Sequence, residues 1–163
     1  MNILFICTGN TCRSPMAEGI FKDMLIKKNK IENINVSSAG ISAFPGEHAN
    51  EKAIKVLNEK GINIKEHRAK QLSDEISNAD LILTMTKSHK EIIADYYFKK
   101  TDEISPCLFT VKEFAAKISG EKLTDLDIHD PYGMSYKMYE KVRDEIEKEL
   151  IKMLNNIDKL EEI

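Results

Sequence analysis

Ile3-Leu4-Phe5-Ile6-Cys7-Thr8-Gly9-Asn10-Thr11-Cys12-Arg13-Ser14-Pro15-Met16-Ala17 is the stretch that decides the fold. Its first four residues are a short continuous apolar run, the pattern of a strand buried on both faces. Polar and glycine residues follow from Cys7 to Ser14. Pro15 suits the first turn of a helix, where a fixed φ helps and a missing N–H does no harm. A helix is therefore predicted to start at about Pro15. Met16, Ala17, Ile20, Phe21, Met24 and Leu25 then recur at helical spacing. The opening reads strand, tight loop, helix.

The rest of the chain repeats this alternation. Val36 lies in a second short strand ending at Ala39-Gly40, and Pro45-Gly46 marks a loop. Ala49, Ala53, Ile54 and Leu57 form a helical stripe, with Gly61 just beyond its end. Leu81-Ile82-Leu83 reads as a third buried strand, followed by a helix carrying Ile92, Ile93 and Tyr96. Leu108 to Val111 is a weaker strand candidate. Tyr139, Val142, Ile146, Leu150, Met153, Ile157 and Leu160 step by three or four and predict one long final helix. Strands alternating with helices give an α/β fold with a mainly parallel sheet. No repeat or linker divides the chain, so residues 1–163 read as a single domain.

Bulk composition narrows the function. Net charge is −3, from 24 Lys+Arg against 27 Asp+Glu, without the basic excess of a general nucleic-acid binder. No run approaches the ~20 apolar residues of a membrane helix, and Ile3 to Ile6 is too short for a signal peptide. Three cysteines, Cys7, Cys12 and Cys107, do not make a disulfide framework. Reduced thiols and a cytoplasmic location are expected.

Chemistry is expected in the loop from Cys7 to Ser14. Ligands of open α/β sheets bind beyond the carboxyl ends of strands. Backbone N–H groups in a short loop before a helix form a concave, partly positive nest, and the helix N-terminus adds to it. Gly9 and Asn10 are the residues best able to adopt positive φ there. Such a loop cradles a tetrahedral oxyanion. A helix N-terminus and a nearby guanidinium favour a thiolate at Cys7. Arg13 offers a planar fork to two phosphate oxygens. Ser14 can hydrogen-bond the sulfur and improve it as a leaving group. A lone cysteine at a strand end is usually a small buried hydrophobe, and a lone arginine is usually on the surface. Joined as Cys-x5-Arg-Ser between strand and helix, they point to a phosphate loop.

Cleaving a phosphate ester also needs a proton for the leaving oxygen. Asp125, Asp127 and Asp130 are the candidates. Pro131 and Gly133 favour Asp130 mildly, because they suit a positioned turn.

The segment from Cys7 to Glu18 resembles the phosphate loop of low-molecular-weight protein tyrosine phosphatases. Ser37-Ser38-Ala39-Gly40, His67-Arg68-Ala69-Lys70-Gln71-Leu72, Ala79 to Met85 and Asp130-Pro131-Tyr132-Gly133 follow in family order. The resemblance implies a four-stranded parallel sheet flanked by helices on both faces, with the phosphate-binding loop after strand 1. It implies Cys7 as nucleophile, Arg13 as phosphate clamp and Asp130 as general acid and base, through a phosphocysteine intermediate. Thr8, Gly9, Asn10, Thr11, Cys12 and Ser14 would complete the loop. Asn10, Ser38 and His67 would brace it, and Tyr132 would stand at the pocket rim. No metal and no cofactor is implied.

Thr11 departs from the larger aliphatic residue common in tyrosine-directed members. It resembles the bacterial branch that includes protein-arginine phosphatases, so phosphotyrosine and phosphoarginine both stay open. Cys12 is either a small buried side chain or a resolving thiol that captures oxidised Cys7. The expected partner is a phosphorylated protein, with no nucleic acid and no membrane, and the chain is expected to be a monomer or weak dimer. The rival readings are a thioredoxin-linked arsenate reductase, a cysteine phosphocarrier and a non-enzymatic phosphate-binding module. An arsenate reductase needs two further cysteines, and only Cys107 lies outside the loop.

Overall fold

The opening apolar run forms β1 (Asn2–Cys7), the strand on which the sheet is built. In the computed structural model, which describes residues 1–72, 76, 78–98, 107–123 and 125–160, β1 pairs in parallel with a neighbour on each side. β2 (Asn35–Gly40) lies along one edge of it and β3 (Leu81–Thr84) along the other. β4 (Cys107–Thr110) pairs with β3, giving the order β2-β1-β3-β4 with all strands parallel. The register sets Cys7 beside Gly40 and Ile6 beside Thr84. The chain winds to opposite sides from β1, so a crevice opens at its carboxyl end.

Side chains alternate across a strand. Ile3, Phe5 and Cys7 enter one apolar cluster with Phe21, Val56, Phe114 and Ile146. Leu4 and Ile6 enter a second cluster with Ile82 and Ile93 on the opposite face. The first face is covered by α1 (Arg13–Lys27), α2 (Glu51–Asn58), α4 (Val111–Ser119) and α5 (Tyr136–Asn155). Ile93 of α3 (Lys87–Ile93) packs on the second. Phe5 meets Phe21 edge-to-face, ring centroids 6.2 Å apart. The α/β, four-stranded parallel expectation is what the structure has.

Four local expectations differ. Helix α1 begins at Arg13 rather than near Pro15, so Pro15 is its third residue. It still lies in the first turn, where no N–H is required. Val111 is not in the strand; Thr110 ends β4 and caps α4 through a reciprocal bond pair with Glu113. The helix carrying Ile92, Ile93 and Tyr96 passes at Ala94 into a π turn, Ala94–Phe98, and only Ile93 of the three is buried. The final helix breaks at Asn156 (φ −119°, ψ 30°), which places Ile157 and Leu160 on a separate turn, α6 (Ile157–Leu160).

Candidate active site

Cys7 ends β1, and its sulfur is the focus of two donors. The backbone N–H of Asn10 points to Sγ at 3.2 Å, and Ser14 Oγ lies 2.9 Å away. The direction of the Ser14 bond follows from its neighbour. Asn10 Nδ2 donates one hydrogen to Ser14 Oγ and the other to Ser38 Oγ, each at 2.9 Å. Lys70 N–H donates to Asn10 Oδ1 at 2.9 Å, which fixes the amide orientation. Ser38 in turn donates to Glu18 Oε2 at 2.5 Å. Ser14 thus accepts from Asn10, and its own proton is free to point at the sulfur. Both donors are thus aimed at the sulfur.

Asn10 is fully buried and takes φ +56°. Gly9, expected to share that role, does not have positive φ. One inverted residue turns the loop, because His67 Nε2–H donates to the Asn10 carbonyl at 2.8 Å and holds it there. A carbonyl only accepts, so the proton sits on Nε2 of His67; burial keeps this ring's pKa below the ordinary value. A neighbouring strand presses on the same turn. A Cβ on Gly40 would lie 2.5 Å from Thr8 O and 3.0 Å from Asn10 N, so only glycine lets β2 pass this close.

The first turn of α1 has no side-chain cap. Its leading residue, Arg13, is buried and held at two points. Nη1 donates to Ile128 O at 3.1 Å, and Nη2 pairs with Asp130 Oδ2 at 3.1 Å. Ile128 hangs on the sheet through main-chain bonds: Ile128 N–H to Met85 O at 2.8 Å, and Met85 N–H to Ile6 O at 2.9 Å. Of the three aspartates considered, only Asp130 faces Arg13. Asp125 pairs with Lys112, and Asp127 accepts from Lys87 N–H. Asp130 Oδ1 accepts from Tyr132 N–H at 3.2 Å.

These side chains open on a cleft of about 260 Å³. Cys7, Thr8, Gly9, Thr11, Cys12, Arg13, Asp130 and Tyr132 all line it, as do Ser42, Phe44 and Glu47. Asn10, Ser14, Ser38 and His67 stand behind the loop. A larger cleft of about 430 Å³ opens between α1 and residues 61–67, but it holds neither the sulfur nor Arg13. Cys12 is buried, with Sγ 3.4 Å from the hydroxyl of Tyr139. Burial raises its thiol pKa above the ordinary value.

The chain matches the low molecular weight phosphotyrosine protein phosphatase model over residues 2–162. It belongs to that family. A protein-arginine-phosphatase of Bacillus subtilis is 39% identical over 160 residues, covering 98% of each chain. A low molecular weight protein-tyrosine-phosphatase, PtpB, of Staphylococcus haemolyticus is 36% identical, covering 85% of this chain and 87% of its own. A solved YwlE arginine phosphatase, a mutant carrying a phosphorylated active-site serine, superposes with a TM-score of 0.83 at 38% identity. It covers 98% of this chain, and 97% of that one is matched. This phosphatase is thus an enzyme with relatives named for two different phosphoresidues.

Several residues in or behind this phosphatase's cleft were not legible in the sequence. His89 Nε2 lies 2.9 Å from Thr8 Oγ1, across a separation of 81 residues. Its only local signal is Thr86, three residues earlier, which caps α3. Tyr139 reads as a core residue, and its hydroxyl contact with Cys12 is invisible in the heptad-like spacing. Phe44 carries a signal that could have found it: a large aromatic beside Pro45-Gly46 in a loop, 76% exposed.

Proposed function

We propose that this phosphoprotein phosphatase works through Cys7 as nucleophile, Arg13 as phosphate clamp and Asp130 as general acid and base. The observation that carries the reading is the sulfur with N–H and O–H donors at 3.2 and 2.9 Å, in a cleft shared with Arg13 and Asp130. Sγ attacks phosphorus in line, the bond from phosphorus to the leaving atom breaks, and Asp130 gives that atom its proton. Water then attacks phosphocysteine and loses a proton to Asp130. The S–P bond breaks, and Ser14 O–H steadies the departing thiolate. Arg13 and the free amides of the loop built by Thr8, Gly9, Thr11, Cys12 and Ser14 stabilise the equatorial oxygens, while the Asn10 N–H stays on the sulfur. Ser38 and His67 brace the loop, and Tyr132 stands at the rim.

Residues 1–163 act as one phosphatase domain on phosphorylated proteins, in the cytoplasm, as a monomer or weak dimer without nucleic acid or membrane. Among the described residues, no helix is long and apolar enough to cross a membrane. Cys12 serves as a resolving thiol: peroxide converts Cys7 to a sulfenic acid, and Cys12 displaces water to form a disulfide. To do so it leaves its contact with Tyr139. Cys12→Ser should abolish recovery by thiol reductant after peroxide; undiminished recovery sinks this role.

The deciding experiment is turnover of p-nitrophenyl phosphate and of phosphotyrosine and phosphoarginine proteins by the wild type and Cys7→Ser. Loss of all turnover in the variant is expected. Residual hydrolysis in Cys7→Ser comparable to wild type overturns the reading. Stable labelling of the wild type without turnover favours a phosphocarrier instead.

A further inference from the structure

The charges around the cleft are unequal. Arg13 supplies one cation, and it already pairs with Asp130. A second carboxylate, Glu47, lines the same cleft. Among the described residues it forms no ion pair or side-chain hydrogen bond. Its backbone, by contrast, is fixed. Glu47 N–H donates to Phe44 O at 3.1 Å, and Ala69 N–H donates to Glu47 O at 2.7 Å. Gly46 N–H donates to Ala69 O at 2.8 Å, and His48 bridges Arg68. The carboxylate is thus presented from a stapled loop, which limits the freedom lost on binding.

An anionic rim is ill suited to a dianionic aryl phosphate whose ring is neutral beyond the phosphorus. It suits a phosphoryl group whose immediate neighbour is a cation. A guanidinium is planar, stays charged, pairs with carboxylates and stacks on aromatic faces. Phe44 and Tyr132, both largely exposed, flank the cleft and offer such faces. Aromatic stacking serves phosphotyrosine equally well, so it does not discriminate; the carboxylate does.

We infer that Glu47 is a specificity-determining residue whose carboxylate pairs with the guanidinium of phosphoarginine, so that the cleft takes phosphoarginine over phosphotyrosine. The inference rests on the phosphatase reading above. In the reaction Sγ–P forms and P–N breaks. The proton from Asp130 goes to the leaving nitrogen, and arginine departs as an ordinary guanidinium. Glu47 takes no part in bond making; it positions the cation beyond the phosphorus.

The test measures kcat/KM on one peptide carrying phosphoarginine or phosphotyrosine, for wild type, Glu47→Gln and Glu47→Lys. Cys7-dependent turnover of p-nitrophenyl phosphate serves as control. The wild type should favour phosphoarginine. The phosphoarginine-to-phosphotyrosine ratio should fall by about 5-fold in Glu47→Gln, the scale of one exposed ion pair. It should fall further in Glu47→Lys, and added salt should shrink the wild-type ratio toward that of Glu47→Gln. A ratio that stays within twofold across the three proteins, or a wild type that prefers phosphotyrosine, overturns the inference while leaving the phosphatase reading intact. Absence of Cys7-dependent turnover on p-nitrophenyl phosphate overturns both.

Discussion

Asn10 shows how much of this site rests on one side chain. Its amide, its backbone N–H and its carbonyl are all engaged, and its φ is +56°. Replacing it with alanine strands buried partners and forces an unfavourable backbone, together about 3 kcal/mol by the usual costs of each. Asn10→Gly tolerates the backbone and should lose less. Chemical denaturation ranks the two; equal losses would show that the left-handed conformation carries no cost. Asp130→Asn makes a different forecast. On the proposed mechanism this variant lacks the proton donor, so kcat should fall about 10²- to 10⁴-fold on a phosphorylated side chain. The fall should be smaller on p-nitrophenyl phosphate, whose phenolate leaves unaided, with phosphoenzyme accumulating as a burst. Equal losses on both substrates would remove Asp130 from the leaving-group step.

At the scale of elements, the meeting of β2 with the loop is the tightest constraint. Gly40→Ala drives a methyl group into Thr8 O and Asn10 N, backbone atoms that cannot swing aside. The expected result is destabilisation of about 1–3 kcal/mol with a further loss of kcat/KM. A normal kcat/KM in a folded variant would show that the loop shifts freely. This contact also marks the limit of sequence reading. Strands β1 and β3 were legible because strands buried on both faces are continuous apolar runs. β4 was fainter because Leu108 and Phe109 at the sheet edge are only half-buried. The break at Asn156 was hidden because apolar spacing continues across it. Gly40 stood in a family motif, yet nothing in the linear order reveals that its missing Cβ is the fit.

The whole molecule carries a pH signature. Burial pushes His89 down to about 4 and lowers His67 as well. Unfolded, these rings bind a proton as pH falls through about 6.5, while the folded protein resists. Stability should therefore be full above pH 6.5 and decline as pH falls toward 4. His89 contributes a loss of up to about 3 kcal/mol, levelling below its folded value. Melts between pH 7 and 4 measure the slope, and His89→Gln should flatten it; an unchanged slope places the effect elsewhere. Such a histidine was unreadable in the sequence, since its bond to Thr8 joins segments 81 residues apart. The catalytic candidates were readable because three of the loop's constituents, Cys7, Arg13 and Ser14, are contiguous with their strand and helix.

The ladder from Ile6 through Met85 and Ile128 to Arg13 is made of peptide groups up to its last rung. Exposed side chains in the connection that leads to it, such as Lys122, Leu123 and His129, can therefore vary without moving Asp130. Its spacing from Ile128 cannot, because adding or deleting one residue there would rotate the carboxylate off the arginine while every ladder bond survived. The site should thus tolerate substitution in that connection far better than a change in its length.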